Sequence, residues 1–362
     1  MKRVALLMAT TLLAGCATVD RVAGEQALIS PDLPSAPDTW LAAGVAGEMP
    51  TGDWLSQFAD PMMTALVEEA LNANPTLEAQ LASVEAATAQ ARSVYGRTLP
   101  NVNASASAGG TSNAIELGGN LDRVTDSTFG LGLDVSWEAD LWGRLRNSIN
   151  ASEADLAASE ADLAALRLAI AAQTSIAWIN LNNALAQERV AVETYEARDQ
   201  IETLTERRFG RGLSTALDVR LSRSAKAGAE ATIAARRQSS GEAARRLEIL
   251  LRRYPSAEIE ALADLPSLPP IGAGGNPVML LSRRPDVAAA EARIKAAGFR
   301  AEQARLALMP SLRLTGSVSN SAIDFEDVID PERIAARLIA SLAQPIFNGG
   351  ALKADRDAAA AR

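Results

Sequence analysis

The sequence contains no histidine and only one cysteine, Cys16, among its 362 residues. Without histidine the chain lacks the commonest general base and the commonest zinc ligand, and a single cysteine cannot form a disulfide within the chain. No glycine-rich phosphate loop and no Gly-x-Ser-x-Gly nucleophile motif occurs. A net charge of −9 argues against a nucleic-acid partner. Together these absences argue against an enzyme and predict neither a metal nor another cofactor.

Aromatic residues are also scarce, at 4 % of the chain, although hydrophobic residues reach 48 %. Much of the apolar content is alanine, which suits long helices that approach one another closely. The strongest helical pattern is a repeat of Ala-Ser-Glu-Ala-Asp-Leu-Ala at residues 151–157 and 158–164. A strict seven-residue repeat indicates a left-handed coiled coil. The sequence therefore predicts a long helix over about 144–208, which returns as a second helix from about Thr215 to Leu251.

The connection between these two helices contains Gly210, Gly212, Leu213 and Ser214. Glycine can adopt positive φ at both glycine positions, and serine is a good N-cap, so Ser214 is the predicted cap of the second helix. A plain helix-turn-helix connection needs the same residues as a binding tip. Both interpretations remain open at this stage.

The first sixteen residues resemble a bacterial lipoprotein signal. Lys2 and Arg3 precede a short apolar run, and the run ends in Leu13-Ala14-Gly15-Cys16. This pattern predicts that residues 1–15 are cleaved and that Cys16 carries a lipid. An ordinary secretory signal with an incidental cysteine is the alternative. Residues 16–53 contain several prolines and glycines and are predicted to be a lipidated extended tether.

One segment predicts a membrane strand. From Phe129 to Trp137, large apolar side chains alternate with glycine or small polar residues without exception. Its nine residues are close to the roughly 9–11 that cross a bilayer as a tilted strand. Asp134 and Ser136 are predicted to face a barrel lumen, and the opposite, lipid-facing side consists of Phe129, Leu131, Leu133 and Val135. The alternative is a periplasmic sheet with one solvated polar face.

The order of elements in the first half of the chain is repeated in the second. Asn74-Pro75 and Arg284-Pro285 each precede a predicted helix, and each helix ends near a proline 25 residues later, at Pro100 or Pro310. A predicted strand pair follows each helix: 102–109 with 129–137, and 312–318 with 337–344. A polar loop is expected over about 110–127. The chain is accordingly divided into a first structural repeat, 54–262, and a second, 263–362.

Four strands per chain cannot close a barrel, and an open edge in lipid leaves backbone groups unpaired. Three chains would supply twelve strands, an even number within the range of outer-membrane barrels. Trp137 and Trp142 would then mark an interfacial aromatic girdle, or both are packing anchors at a strand-to-helix junction. Arg283 and Arg284 could form an anion site, although a structural salt bridge is favoured.

From Trp54 to the C-terminus, ordered motifs resemble the bacterial outer-membrane efflux proteins, the TolC-like outer-membrane factors. The resemblance is closest to the lipoprotein branch that serves resistance-nodulation-division pumps. The matching segments are Trp54-Leu55 through Pro61, Asn74-Pro75, Leu99-Pro100, Ser136 to Arg144, Phe209 to Val219, Ser282 to Val287, Pro310-Ser311-Leu312 and Gln344 to Gly350.

The resemblance implies an α+β membrane protein with a long α-helical coiled-coil hairpin and four membrane β-strands per chain. It also implies a homotrimer with a 12-stranded barrel in the outer membrane and a periplasmic α-barrel. Its implied role is a passive exit duct for drugs and small solutes, with a periplasmic adaptor and an inner-membrane pump as partners. The hairpin tip would contact the adaptor. The only implied attached group is the lipid on Cys16.

One departure from the family pattern concerns the second repeat. In the family, a second helical hairpin follows the second strand pair, whereas this sequence ends at Arg362, about a dozen residues after Gly350. We therefore expect the second hairpin to be missing, together with any gating residues that it would carry. The sequence is then either a fragment of a longer chain or a truncated product. The second case leaves an alternative function: a truncated or structural coiled-coil outer-membrane lipoprotein without transport activity.

Overall fold

The structure is a computed structural model that describes residues 54–117, 120–259, 261, 265–266, 281 and 283–362. The predicted signal peptide, Cys16 and the whole of the predicted tether, 16–53, lie outside the described residues. The elements of the first half are α1 (Pro61–Ala73), α2 (Pro75–Gly96), β1 (Asn101–Leu117), β2 (Asn120–Ala139), α3 (Arg144–Phe209) and α4 (Ala216–Leu250). Those of the second half are α5 (Pro285–Leu306), β3 (Ser311–Ala322), β4 (Ala335–Ala343) and α6 (Ala351–Ala360).

The four strands form one antiparallel sheet in the order β1-β2-β3-β4. All four predicted strands are therefore present, and the long helical hairpin is present as α3 and α4. The repeat is visible in the element starts, because α2 and α5 both begin at a proline and both contain 22 residues. β1 and β3 follow these helices after Pro100 and Pro310.

The predicted polar loop over 110–127 is wrong. β1 continues to Leu117 and β2 already begins at Asn120, and the two strands stay paired from Asn101↔Ser136 to Leu117↔Asn120. Asn74 separates α1 from α2. The Asn74 side chain accepts a hydrogen bond from the Thr76 N–H at 2.9 Å and so caps the second helix.

The chain divides into two compact units. One contains the sheet, with residues 84–159 and 289–362. Helices in this unit pack through small side chains, and these are the buried alanines Ala151, Ala158, Ala289 and Ala296. An ion pair between Arg300 and Asp155 joins α5 to α3.

The other unit contains the helical hairpin, with described residues from 54–83 and 160–288. Its hydrophobic core joins α1, α2, α3 and α4 and contains Met63, Leu66, Leu77, Ile170, Trp178, Leu181, Leu247 and Leu251. Asp60 fixes the start of α1: its carboxylate accepts from the Met63 N–H at 3.0 Å and from the Trp178 indole N–H at 2.7 Å. A single carboxylate therefore caps α1 and ties it to α3.

One carboxylate of this unit is fully buried. Glu248, at the end of α4, is only 2 % exposed. Its two oxygens accept hydrogen bonds of 2.8 Å from the backbone N–H groups of Ala257 and Glu258. These bonds replace water around the charge and hold the turn that follows α4.

Candidate functional site

The sheet has one small and polar face. Asp134 and Ser136 lie on this face of β2, and the residues opposite them in register on β1 and β3 are Asn101, Asn103, Thr315 and Ser317. Strand alternation puts all of these side chains on the same side. Asp134 and Ser136 therefore share one polar face with these side chains of β1 and β3.

The other face is apolar. Phe129, Leu131, Leu133 and Val135 of β2 lie beside register partners on β1 and β3 that include Val102, Ala104, Gly316 and Val318. β4 continues the pattern with Leu338 opposite Gly316 and Leu342 opposite Leu312. Leu131 and Leu133 are both exposed on the surface of the chain. The apolar face thus runs across all four strands.

Two glycines shape the polar face. A Cβ on Gly130 would lie 2.7 Å from the Ser107 hydroxyl, and a Cβ on Gly132 would lie 2.9 Å from the Ser105 hydroxyl. The serine side chains of β1 lean over β2 at both positions. Because the serine hydroxyl can rotate away, alanine could be accommodated there, but a large side chain would crowd the polar face.

Hydrogen bonds hold the end of the sheet where the helices join it. The Trp137 indole N–H donates to the Thr98 carbonyl at 2.9 Å, and the Trp142 indole N–H donates to the Pro310 carbonyl at 2.8 Å. The Gln344 amide donates to the Leu308 carbonyl at 2.9 Å. Both tryptophans are therefore anchors at the strand-to-helix junction, as one of the two interpretations proposed.

The turn from β2 into α3 explains the sequence around these tryptophans. Asp140 accepts from the backbone N–H groups of Leu145 and Arg146, at 3.1 and 2.8 Å, and caps α3. Gly143 has a φ of +84°, which a side chain would disfavour. Arg144 pairs with Glu138 at 2.6 Å across the turn. Sequence reasoning noticed this motif but missed the capping role of Asp140.

The tip of the α3–α4 hairpin is a tight turn. The Gly210 N–H donates to the Glu206 carbonyl at 2.9 Å, and the Leu213 N–H donates to the Arg208 carbonyl at 2.9 Å. Gly212 has a φ of +69°, whereas Gly210 does not have positive φ, so only one of the two predicted positive-φ glycines is required. The Leu213 side chain is 65 % exposed at the tip.

The prediction that Ser214 caps α4 is wrong, because Thr215 is the N-cap. The Thr215 hydroxyl accepts from the Asp218 N–H at 3.2 Å, and the Asp218 carboxylate accepts from the Thr215 N–H at 2.8 Å. Ser214 instead donates its hydroxyl proton to Asp218 at 3.0 Å. These donors, led by the Thr215 N–H, hold the pKa of the Asp218 carboxyl below its ordinary 3.8.

Arg284 forms a salt bridge, which is the interpretation that the sequence analysis preferred over an anion site. Its guanidinium contacts both carboxylate oxygens of Asp286, at 3.1 and 2.6 Å. The carboxylate raises the pKa of the Arg284 guanidinium. Within the part of the chain that the structure describes, no group of three or more acidic, cysteine or histidine side chains has a geometry that could hold a metal ion.

A two-faced antiparallel sheet joined to a long helical hairpin defines the class of protein, and comparison with known proteins gives the family. Residues 66–251 and 276–362 match the family model of the outer membrane efflux protein. This chain belongs to that family. Its members are channel proteins, and this chain is accordingly a protein of the outer membrane.

Individual relatives agree with this assignment. The chain is 31 % identical over 349 residues to outer membrane protein OprJ of Pseudomonas aeruginosa, covering 91 % of this chain and 70 % of OprJ. It is 32 % identical over 371 residues to the pyoverdine export outer membrane protein OpmQ of the same species, covering 100 % of this chain and 76 % of OpmQ. The solved structure of the outer-membrane channel OprN matches with a TM-score of 0.76 at 31 % identity, over 85 % of this chain and 69 % of OprN.

Proposed function

We propose that the chain is one subunit of a trimeric outer-membrane exit duct in a tripartite efflux system. The observation that carries the proposal is the sheet itself, which has two chemically different faces and two open edges. β1 and β4 each have a single neighbouring strand. In a bilayer the unpaired backbone groups of both edges need partners, and only a closed barrel provides them.

Three copies satisfy this requirement. If β4 of each chain pairs with β1 of the next, three four-stranded sheets close into a barrel of twelve antiparallel strands. Family membership supports this arrangement, as does the long α3–α4 hairpin, which would continue the barrel as a periplasmic α-barrel. A sheet that stayed alone would expose Leu338 and Leu342 of β4 to water.

The two faces fix the orientation of the sheet in the proposed barrel. Asp134 and Ser136 would line a water-filled lumen, since charged and hydroxyl groups keep their hydration there. The apolar face would meet lipid through Phe129, Leu131, Leu133 and Val135. The band from Phe129 to Trp137 spans nine residues, or about 30 Å of strand at ~3.3 Å per residue before tilt, which suits the apolar band of a bilayer.

The proposed partners follow from the tip of the α3–α4 hairpin. We propose that the tip formed by Gly210, Gly212, Leu213 and Ser214 contacts a periplasmic adaptor, because Leu213 is exposed on a rigid, capped turn. The adaptor would connect the duct to an inner-membrane resistance-nodulation-division pump, which supplies the energy. Cys16 would carry a covalent lipid, as its Leu13-Ala14-Gly15-Cys16 context indicates.

The cargo would be drugs and other small solutes, which pass through the lumen without chemical change. OpmQ is named for pyoverdine export and CusC of Escherichia coli, another relative, for cation efflux, so the names of related ducts refer to different cargo. Cargo choice in the proposed system would belong to the pump and not to the polar face of the barrel.

The test is deletion of the gene in its own host and complementation from a plasmid. We expect the deletion to lower the minimal inhibitory concentrations of dyes, detergents and antibiotics, and the parent gene to restore them. A Leu213→Asp variant should reach the outer membrane in parent amounts but fail to restore resistance, because a charge at the tip would disrupt the adaptor contact. Ala235→Asp, which places the same charge on α4 away from the tip, is the matched control.

Unchanged susceptibility after deletion would contradict the efflux role. It would favour the alternative, a structural coiled-coil lipoprotein without transport. Loss of resistance with both aspartate variants would instead show that the hairpin tolerates no added charge, and the adaptor assignment would fail.

A further inference from the structure

The segment between β3 and β4 folds back onto the sheet instead of extending away from it. Residues 323–334 contain two short 3-10 turns, Phe325–Ile329 and Pro331–Arg333. The Phe325 ring packs edge-on against the Phe129 ring, with the centroids 5.7 Å apart. Val328 is buried. Because Phe129 belongs to the apolar face, the segment lies on that side of the sheet.

A buried asparagine holds the segment in place. Asn320 of β3 is 7 % exposed, and its position in register opposite Leu131 puts it on the apolar face. Its amide nitrogen donates to the carbonyls of Val328 at 2.6 Å, Asp327 at 3.1 Å and Asp330 at 3.2 Å. One side chain therefore fixes the path of both 3-10 turns.

The outer surface of the segment is amphipathic. Ile323, Phe325 and Ile329 are exposed, at 65 %, 71 % and 75 %. Acidic side chains alternate with them, and Arg333 pairs with Asp327 at 2.9 Å and with Asp330 at 3.5 Å. Exposing three large apolar side chains to water does not stabilise a turn. At a lipid–water boundary, by contrast, the apolar side chains can enter the lipid while the charged side chains remain in water.

The position along the strands points to the same boundary. The strict apolar alternation of β2 begins at Phe129, and β1 and β2 continue beyond it with polar residues such as Thr125 and Asp126. Phe325 contacts the first ring of the apolar band. The opposite end of the band is marked by Trp137, where the helices join the sheet.

We propose that residues 323–334 are a membrane-interface anchor, in which Ile323, Phe325 and Ile329 enter the lipid at the boundary farther from the helices. The carboxylates and Arg333 stay at the level of the headgroups. Asn320 is a positioning residue that holds the anchor against the sheet. The inference depends on the proposed lipid orientation of the apolar face, with which the anchor is continuous.

The test uses single cysteine variants of the full chain, labelled with a fluorophore and reconstituted into phosphatidylcholine vesicles that contain nitroxide-labelled phospholipid. The variants are Phe325→Cys and Ile329→Cys, with Leu133→Cys as the lipid reference and Ser136→Cys as the lumen reference. The parent chain, whose only cysteine is Cys16, sets the background. Heat-modifiable migration on gels confirms that each variant has folded.

We expect labels at positions 325 and 329 to be quenched as strongly as the label at position 133, and at least about threefold more than the label at position 136. Nitroxide near the headgroups should quench positions 325 and 329 better than nitroxide deep in the acyl chains. In an Asn320→Ala background, quenching at position 325 should fall while quenching at position 133 stays unchanged.

Two results would overturn the anchor. If position 133 is quenched but positions 325 and 329 are not, the segment does not touch lipid, although the proposed orientation of the sheet survives. Protection of these labels from aqueous iodide would then show that a neighbouring copy covers them. If position 133 is not quenched either, the proposed orientation fails, and the anchor fails with it.

Discussion

The indole N–H of Trp142 donates a 2.8 Å hydrogen bond to the carbonyl of Pro310, 168 residues further along the chain. Trp142 follows β2, and Pro310 precedes β3, so the bond ties the exit of one strand to the entrance of the next. Trp137 makes the corresponding bond to Thr98, at the entrance of β1. The helix-to-strand turns of both halves of the chain are thus fixed by tryptophans of the first half.

Trp142→Phe should destabilise the chain by about 0.5–1.5 kcal/mol, the usual net value of a hydrogen bond, because phenylalanine keeps an aromatic side chain at this exposed position but lacks the indole N–H donor. Trp137→Phe should cost a similar amount. The double variant should be additive, since the two bonds have different acceptors. Urea unfolding in detergent micelles measures all three. An unchanged midpoint for both single variants would show that the tryptophans contribute only their ring contacts.

The hairpin tip offers a matched pair of glycines. Gly212→Ala should destabilise the tip by about 1–2 kcal/mol, because alanine is strained at a φ of +69°. Gly210→Ala should be nearly neutral, since Gly210 lacks positive φ and its Cβ would meet only carbonyl oxygens at 3.7 and 3.8 Å. Amide exchange at the ends of α3 and α4 reports the difference. Equal protection in both variants would contradict the assigned strain.

The buried carboxylate of Glu248 should be hard to replace. Glu248→Ala leaves the N–H groups of Ala257 and Glu258 without their acceptor, and we expect a loss of about 2–4 kcal/mol in the free energy of unfolding. Glu242→Ala removes an exposed carboxylate from the same helix and should change it by less than about 0.5 kcal/mol. Thermal unfolding followed by circular dichroism compares the two. Similar midpoints would mean that the turn after α4 does not need Glu248.

The capping box of α4 should make the hairpin tip sensitive to acid. Donors from Thr215 and Ser214 lower the folded-state pKa of Asp218 below 3.8. The stabilisation from this shift is therefore fully present above pH 3.8 and is lost as the pH falls through the lower, folded-state pKa. We expect the amide protection factors in the first turn of α4, which correct for the intrinsic dependence of exchange on pH, to begin to fall below pH 3.8. Thr215→Val should accelerate exchange already at neutral pH and weaken its dependence on acid.

The two faces of β2 should respond differently to the same charge. Leu133→Arg should impair assembly in the outer membrane, because arginine on a lipid-facing strand position costs about 2–4 kcal/mol near the bilayer midplane. Ser136→Arg should assemble in parent amounts but narrow the lumen and lower efflux. Gel migration of outer-membrane fractions, with and without heating, measures assembly. The opposite ranking would reverse the proposed orientation of the sheet.

The sequence predicted those elements of the fold in which one face is apolar and the other is small or polar. Phe129 to Trp137 was identified because every second residue is large and apolar. The sequence of residues 110–127 predicts a loop because glycine and polar residues dominate it and its few apolar residues do not alternate strictly. The proline starts of α2 and α5 were recognised because proline at the first helical turn is a strong local signal.

Two finer features of the structure differ in how far the sequence could predict them. Thr215 could have been chosen over Ser214 from the sequence alone, because an acidic residue three positions later, Asp218, completes a capping box. Asn320 could not have been found in this way. Its role depends on the carbonyls of Asp327, Val328 and Asp330, which come after β3 in the chain. A single asparagine in an alternating strand does not reveal these hydrogen bonds.

The free edge of β4 has a consequence for the biosynthesis of this protein. Its nine residues, Ala335–Ala343, are exposed on both faces, contain no proline and carry a single charge, Arg337. An exposed apolar strand of this kind is a template for unwanted pairing with other chains. In the proposed trimer another copy would cover this edge, so a newly secreted copy should be prone to aggregate until it assembles. Overproduction should supply new chains faster than they assemble. The availability of periplasmic holdase chaperones should then limit the yield of chains that have not aggregated.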